Sequence, residues 1–98
     1  MKFSPQFRLA AKLEFEQAAS AYEAARDGLG QRFIDAVDEA LTNTCEAPHR
    51  YKRELADVQR VRVRHFPYTI YFRVRAEHVI VIAVFHVRRN PMIWRERA

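Results

Sequence analysis

Residues 60–97, RVRVRHFPYTIYFRVRAEHVIVIAVFHVRRNPMIWRER, constrain this chain more than any other stretch. Side chains of a strand point to opposite faces in turn, so a period of two marks a strand with one buried face. Val61 and Val63 fall on one face and Arg60, Arg62 and Arg64 on the other. Phe66-Pro67 reads as a two-residue turn. Beyond it Tyr68, Ile70, Phe72 and Val74 continue the apolar face, and Thr69, Tyr71, Arg73 and Arg75 the polar one. Ala76-Glu77 reads as a second turn. The run His78–Phe85 that follows is apolar on both faces, as a better covered strand requires. The pattern predicts a three-stranded antiparallel meander.

Two-residue turns set a register. Val63 would face Ile70, Val61 would face Phe72 and Arg62 would face Tyr71. Across the second turn Val74 would face Val79, Phe72 would face Val81 and Tyr71 would face Ile82. Apolar then meets apolar through all three strands. Ile80, Ile82 and Val84 would point to the opposite face, together with the arginines, leaving apolar surface to be covered by the C-terminal tail or by a partner.

Upstream, Ser4-Pro5 has the residue types of a helix start, a capping hydroxyl followed by a proline suited to the first turn. Met1-Lys2-Phe3 reads as a short edge strand. Phe7, Ala11, Phe15, Ala18, Tyr22 and Ala25 then recur at helical spacing, which predicts one helix of about 20 residues. Arg26-Asp27-Gly28-Leu29-Gly30 breaks it, with glycine supplying a left-handed turn. The stripe Leu29, Phe33, Val37, Ala40/Leu41 and Thr44 makes a second helix, ended by Pro48. So short a connection folds the two into an antiparallel hairpin. Its Ala- and Phe-rich stripes would cover the apolar sheet face. The fold class is therefore α+β: an N-terminal helix hairpin on one face of a small antiparallel sheet, with a short amphipathic tail around Trp94. At 98 residues this is one domain, residues 1–98.

A single cysteine, Cys45, permits no internal disulfide and suits a reducing cytoplasm. It reads as a small residue near a helix end, not a nucleophile. No apolar run approaches the roughly 18 residues of a membrane span, and MKFSPQFRL lacks a signal peptide's apolar block. The four histidines are scattered, Cys-x-x-Cys is absent and the glycines form no phosphate loop. No metal and no cofactor is expected. Charge is the informative part of the composition. The first 49 residues hold five Lys/Arg and eight Asp/Glu, the last 49 twelve and four. A basic sheet half suits an anionic partner or, more simply, a solvated surface. Any catalysis would fall to His86, Arg88, Arg89, Trp94 and Arg97, of which His86 alone shuttles protons near neutrality.

His86-Val-Arg-Arg-Asn-Pro-Met-Ile-Trp94-x-x-Arg97, Phe66-Pro-Tyr-x-Ile-Tyr-Phe72 and Gly28-Leu-Gly-x-x-Phe33 together resemble the RelE/ParE family of bacterial type II toxins, in its ParE-like, plasmid stabilisation branch. The resemblance covers nearly the whole chain. It implies a cytoplasmic growth inhibitor encoded beside a cognate antitoxin that neutralises it by direct binding, as a hetero-oligomer and away from membranes. RelE-like members cleave mRNA on the ribosome with basic residues and a tyrosine; ParE-like members act on DNA gyrase and lack that set. Here Thr69 stands where an arginine is expected, and the tyrosine position falls near Trp94. The resemblance thus implies gyrase as the target, with a ribosome-dependent endoribonuclease using His86, Arg88 and Arg89, or a non-toxic binding module, as alternatives. The residues expected to meet the target are Arg62, Arg64, Tyr71, Arg73, His86, Arg88, Arg89, Trp94 and Arg97. Those expected to meet the antitoxin are Ile80, Ile82, Val84 and Arg88.

Overall fold

A computed structural model describes residues 3–98. A strand β1 (Ser4–Phe7) leads into helices α1 (Leu9–Ala25) and α2 (Leu29–Glu46). A 3-10 turn at Pro48–Arg50 precedes β2 (Arg53–Leu55), β3 (Val58–Arg62), β4 (Tyr68–Arg75) and β5 (His78–His86), and the short helix α3 (Met92–Arg95) closes the chain. The five strands form one sheet in the order β1-β5-β4-β3-β2. The fold class follows the expectation, a helix hairpin on one face of a sheet, and the meander β3-β4-β5 is antiparallel.

The hairpin forms where the sequence breaks. Gly28 takes φ +86, a left-handed conformation that costs glycine little. Glu23 then accepts the amide N–H groups of Gly28 (2.9 Å) and Gly30 (3.0 Å), which caps the start of α2. At Gly30 a Cβ would lie 2.6 Å from the carbonyl oxygen of Ala19, so the two helices meet backbone to backbone. Phe33, Val37, Ala40, Leu41 and Thr44 of α2 are all buried, as their spacing predicts.

Four expectations need correction. First, Ser4-Pro5 opens no helix. Ser4–Phe7 runs parallel to β5, Ser4 opposite His78 and Phe7 opposite Val81. The partner lies more than seventy residues away in sequence and cannot be seen locally, while an edge strand tolerates Pro5. The strand expected at Met1-Lys2-Phe3 falls mostly outside the described residues. Second, the β3-β4 register is shifted by two. Val61 faces Ile70, Arg60 faces Tyr71, Arg62 faces Thr69 and Gln59 faces Phe72. The connection is longer than Phe66-Pro67, with His65 at φ +69 and the amide of Val63 bonded to the Tyr68 carbonyl. A shift of two keeps every side chain on its face, so alternation alone cannot detect it.

Third, β5 bulges. Val74 faces Val79 and Phe72 faces Val81 as expected, but Tyr71 faces Ala83, not Ile82. The extra residue at Ile82 inverts the alternation beyond it. Fourth, and in consequence, Val84 does not point away from the helices. It is fully buried with Ala18, Phe33 and Ile70 in the helix-side core, while Phe85 turns to the other face. The apolar remainder of that second face is closed by the chain itself. Trp94 of α3, 1% exposed, packs with Val58, Ile82 and Phe85.

Candidate functional site

The second face of the sheet carries the arginines, and the strand pairing decides which of them meet. Arg60 and Arg62 of β3 stand opposite Tyr71 and Thr69 of β4, which stand opposite Ala83 and Phe85 of β5. Trp94 stacks flat on Tyr71, centroids 3.9 Å apart at 16°. Between Arg60, Arg62, Tyr71, His86, Arg89 and Trp94 lies a cleft of about 280 Å³. Three arginines and a histidine line it, and no carboxylate does.

Two of the three arginines are held from behind. Arg60 pairs with Glu54 of β2 at 2.9 Å. Arg89 pairs with Glu14 of α1 and lies over the Phe85 ring, 4.5 Å from its centroid. Arg62 is exposed and has no ion pair among the described residues. Part-exposed pairs such as Arg60–Glu54 are each worth under about 1 kcal/mol. Their importance here is orientation of the guanidinium groups.

Glu14 is the keystone of the tail. Its carboxylate, 10% exposed, accepts from Arg89, from both terminal nitrogens of Arg97 (3.0 and 2.9 Å) and from the Val84 amide (3.1 Å). Arg97 in turn donates to the Ile82 carbonyl at 2.9 Å. Strand β1 ends opposite Val81, so β5 has no strand neighbour on that side beyond this point. The Glu14–Arg97 pair takes the place of the missing strand and ties α3 to α1. Burial would raise the Glu14 pKa. The hydrogen bonds from Arg97, Val84 and Arg89 outweigh it and hold the carboxyl below its ordinary value.

Burial raises the Tyr71 pKa, with Glu54 adding to the effect against the pull of Arg60. Tyr71 is therefore a neutral phenol at physiological pH. His86 Nδ1 accepts the Arg88 amide N–H at 3.1 Å, which leaves the proton of the neutral ring on Nε2. Trp94 Nε1 is buried without a hydrogen-bond partner.

Of the residues expected to meet a target, Arg62, Tyr71, His86, Arg89 and Trp94 come together in the cleft. Arg88 is exposed in the turn after β5. Arg64 sits at the β3-β4 loop, 3.9 Å from Glu39 of α2. Arg73 pairs with Asp57 at 3.4 Å, and Arg97 is engaged inside the protein by Glu14 and Ile82. Of the expected antitoxin contacts, Ile80 is half-buried, Ile82 lies beneath Trp94 at 2% exposed, and Val84 belongs to the helix-side core. Sequence reasoning missed Glu14 and Glu54. Glu14 adjoins the helical stripe beside Phe15, and nothing local distinguishes it from the solvated acids of α1. Among the described residues no three His, Cys, Asp or Glu side chains are placed to hold a metal ion, and no helix is long and apolar enough to cross a membrane.

Comparison with known proteins agrees with this architecture. The family described as the ParE toxin of type II toxin-antitoxin system, parDE, matches residues 6–91. No curated protein matches in sequence. Among solved structures, a chain from the chromosomal ParDE TA system of P. aeruginosa superposes with a TM-score of 0.73 at 13% identity, over 87% of this chain and 96% of that one. At that identity the likeness is one of fold.

Proposed function

The chain belongs to the ParE toxin family of type II toxin-antitoxin systems, and from that premise we propose that it arrests growth by docking on DNA gyrase through its basic sheet face, without chemistry of its own. The observation that carries this reading is the cleft, with three arginines and a histidine on its walls and no carboxylate. Glu54 and Glu14 orient two of those arginines before any partner arrives, which lowers the entropy lost on binding. The titratable groups favour binding over phosphodiester cleavage. Acid–base cleavage needs two groups that exchange protons near neutrality. Thr69 is buried and Tyr71 is packed flat against Trp94, so His86 is the one imidazole at the cleft and has no second such group beside it.

A ParDE system has an antitoxin partner. In our reading residues 1–98 act as one toxin domain in the cytoplasm, and the antitoxin neutralises it by laying acidic groups over the same face. Arg62 and Arg88 offer it exposed charge and Ile80 a half-buried apolar contact. Expression from a repressed promoter tests the target. Growth arrest with induction of an SOS reporter and intact mRNA is expected. Arrest with new codon-phased mRNA 5′ ends would make the protein a ribosome-dependent endoribonuclease, and continued growth would make it a non-toxic module. The double variant Arg88→Ala/Arg89→Ala should keep its fold, because Arg97 still satisfies Glu14, and should lose toxicity. If it remains fully toxic, the basic face is not the target-binding surface.

A further inference from the structure

We infer that the cleft between β3 and the C-terminal tail binds the sugar-phosphate backbone of a nucleic-acid strand, so that this face grips the DNA of the target complex. The inference rests on the reading of the basic face as the target-binding surface and names the chemistry that it recognises.

The first argument is the balance of donors and acceptors. Arg60, Arg62, His86 and Arg89 line the cleft, Arg60 and Arg89 each in an ion pair and Arg62 without one among the described residues. The cleft presents no carboxylate. A peptide laid in it would bring amide N–H groups that need acceptors of their own. A phosphodiester chain brings acceptors only, and arginine is the side chain best matched to phosphate oxygens.

The second argument is what the cleft does not offer. Its two aromatic members are already covered, Phe85 to 3% and Trp94 to 1% exposure, and Val87 is the large apolar side chain left open, at 49%. A protein partner anchors itself by filling a desolvated pocket with an aromatic or aliphatic side chain, and within the cleft it would find Val87 and Pro91 as the exposed apolar contacts. Base recognition by stacking needs an open aromatic face, and Trp94 spends one of its faces on Tyr71. Contacts to phosphate need neither, and they carry no sequence information. Binding should therefore be independent of base sequence.

The third argument is the arrangement of charge. Arg60 and Arg62 stand two residues apart on one face of β3, about 6.8 Å at the rise of an antiparallel strand. Arg89 faces them from the other wall of the cleft. A linear polyanion can engage several of these groups at once. Arg62, exposed and without a salt bridge among the described residues, is the group with most charge left to give.

Fluorescence anisotropy of the full chain with labelled oligonucleotides of about 15 residues, single-stranded and duplex, tests this. Mixed sequences should bind alike, and affinity should fall about tenfold or more between 50 and 200 mM salt. Arg62→Gln should weaken binding about fivefold and lower the salt slope by about one. Arg32→Gln makes the same charge change on an exposed α2 position and should alter neither. The inference is overturned if Arg62→Gln and Arg32→Gln behave alike, or if a polyglutamate peptide of equal charge competes as well as the oligonucleotide. Growth assays separate it from the gyrase reading. SOS-linked arrest by a protein that binds no oligonucleotide would remove this inference and leave that reading. Oligonucleotide binding weakened about fivefold by Arg62→Gln, without SOS induction by the wild type, would support the inference and remove the gyrase target.

Discussion

The two faces of the sheet are built on opposite plans. Toward the helices lies a continuous core in which Phe33, wholly buried, meets the rings of Tyr22, Phe66 and Tyr68 at 5.1–5.2 Å. Away from them one tryptophan on a four-residue helix covers Val58, Ile82 and Phe85, and around it lie arginines interleaved with Thr69, Tyr71 and His86. Burial of the first kind supplies most of the stability, at about 25 cal/mol for each Å² of apolar area removed from water. The second face contributes little by comparison and is therefore free to carry charge. Its arginines are oriented by glutamates on other elements, so the thick face also serves as the frame on which the thin one is aligned.

The comparison breaks most visibly at Phe33. Phe33→Ala leaves a cavity among the rings of Phe15, Tyr22, Phe66 and Tyr68 and should cost about 3–5 kcal/mol. Urea unfolding should show a single transition moved to much lower denaturant. A loss under about 1 kcal/mol would mean that the helix-side cluster is not the source of stability. Trp94→Ala should cost less, about 2–3 kcal/mol, because α3 is short and can leave with its own cavity. Hydrogen exchange should then show protection lost in residues 82–98 and kept in α1 and α2. Global loss of protection would overturn the distinction between the faces.

That contrast also explains which parts could be read from the sequence. The helix hairpin and the meander were legible because Phe33, Val37 and Leu41 on one side, and Ile70 and Phe72 on the other, repeat with periods fixed by local geometry. The faces of β3 and β4 were legible for the same reason, even with the register shifted by two. What failed was non-local or unphased. Ser4–Phe7 becomes a strand only because β5 lies beside it. The run His78–Phe85, apolar on both faces, has no alternation to betray the bulge at Ile82, so Val84 was placed on the wrong face. Arg62, Tyr71, His86, Arg89 and Trp94 could be proposed as a set because their residue types and strand positions sufficed. Their separation from Arg73 and Arg97 depended on Asp57 and Glu14, and ion-pair partners leave no local pattern.

Glu14 is where the two plans are joined, and acid should sharpen the comparison there. Its folded pKa lies below the ordinary carboxylate value, because the hydrogen bonds from Arg97, Val84 and Arg89 outweigh the opposing effect of burial. The unfolded chain therefore binds the proton more readily than the folded one. The stability that Glu14 contributes is present above its unfolded pKa and is lost as the pH falls through the folded value. Asp57, lowered by the hydrogen bond from Arg75, acts in the same direction on the far side of the sheet. Glu14→Gln removes one of these two contributions. It should cost about 1–2 kcal/mol at neutral pH, the range for charge-assisted hydrogen bonds in a partly buried site, and should flatten the decline of stability below about pH 5. The damage should be local: Arg89 and Arg97 loosen, hydrogen-exchange protection falls in residues 82–84 and in α3, and the Phe33 cluster keeps its own. A wild-type acid limb as steep in Glu14→Gln as in the parent would show that the tail is held by Trp94 alone, and that the frame supplied by the helices ends at the sheet.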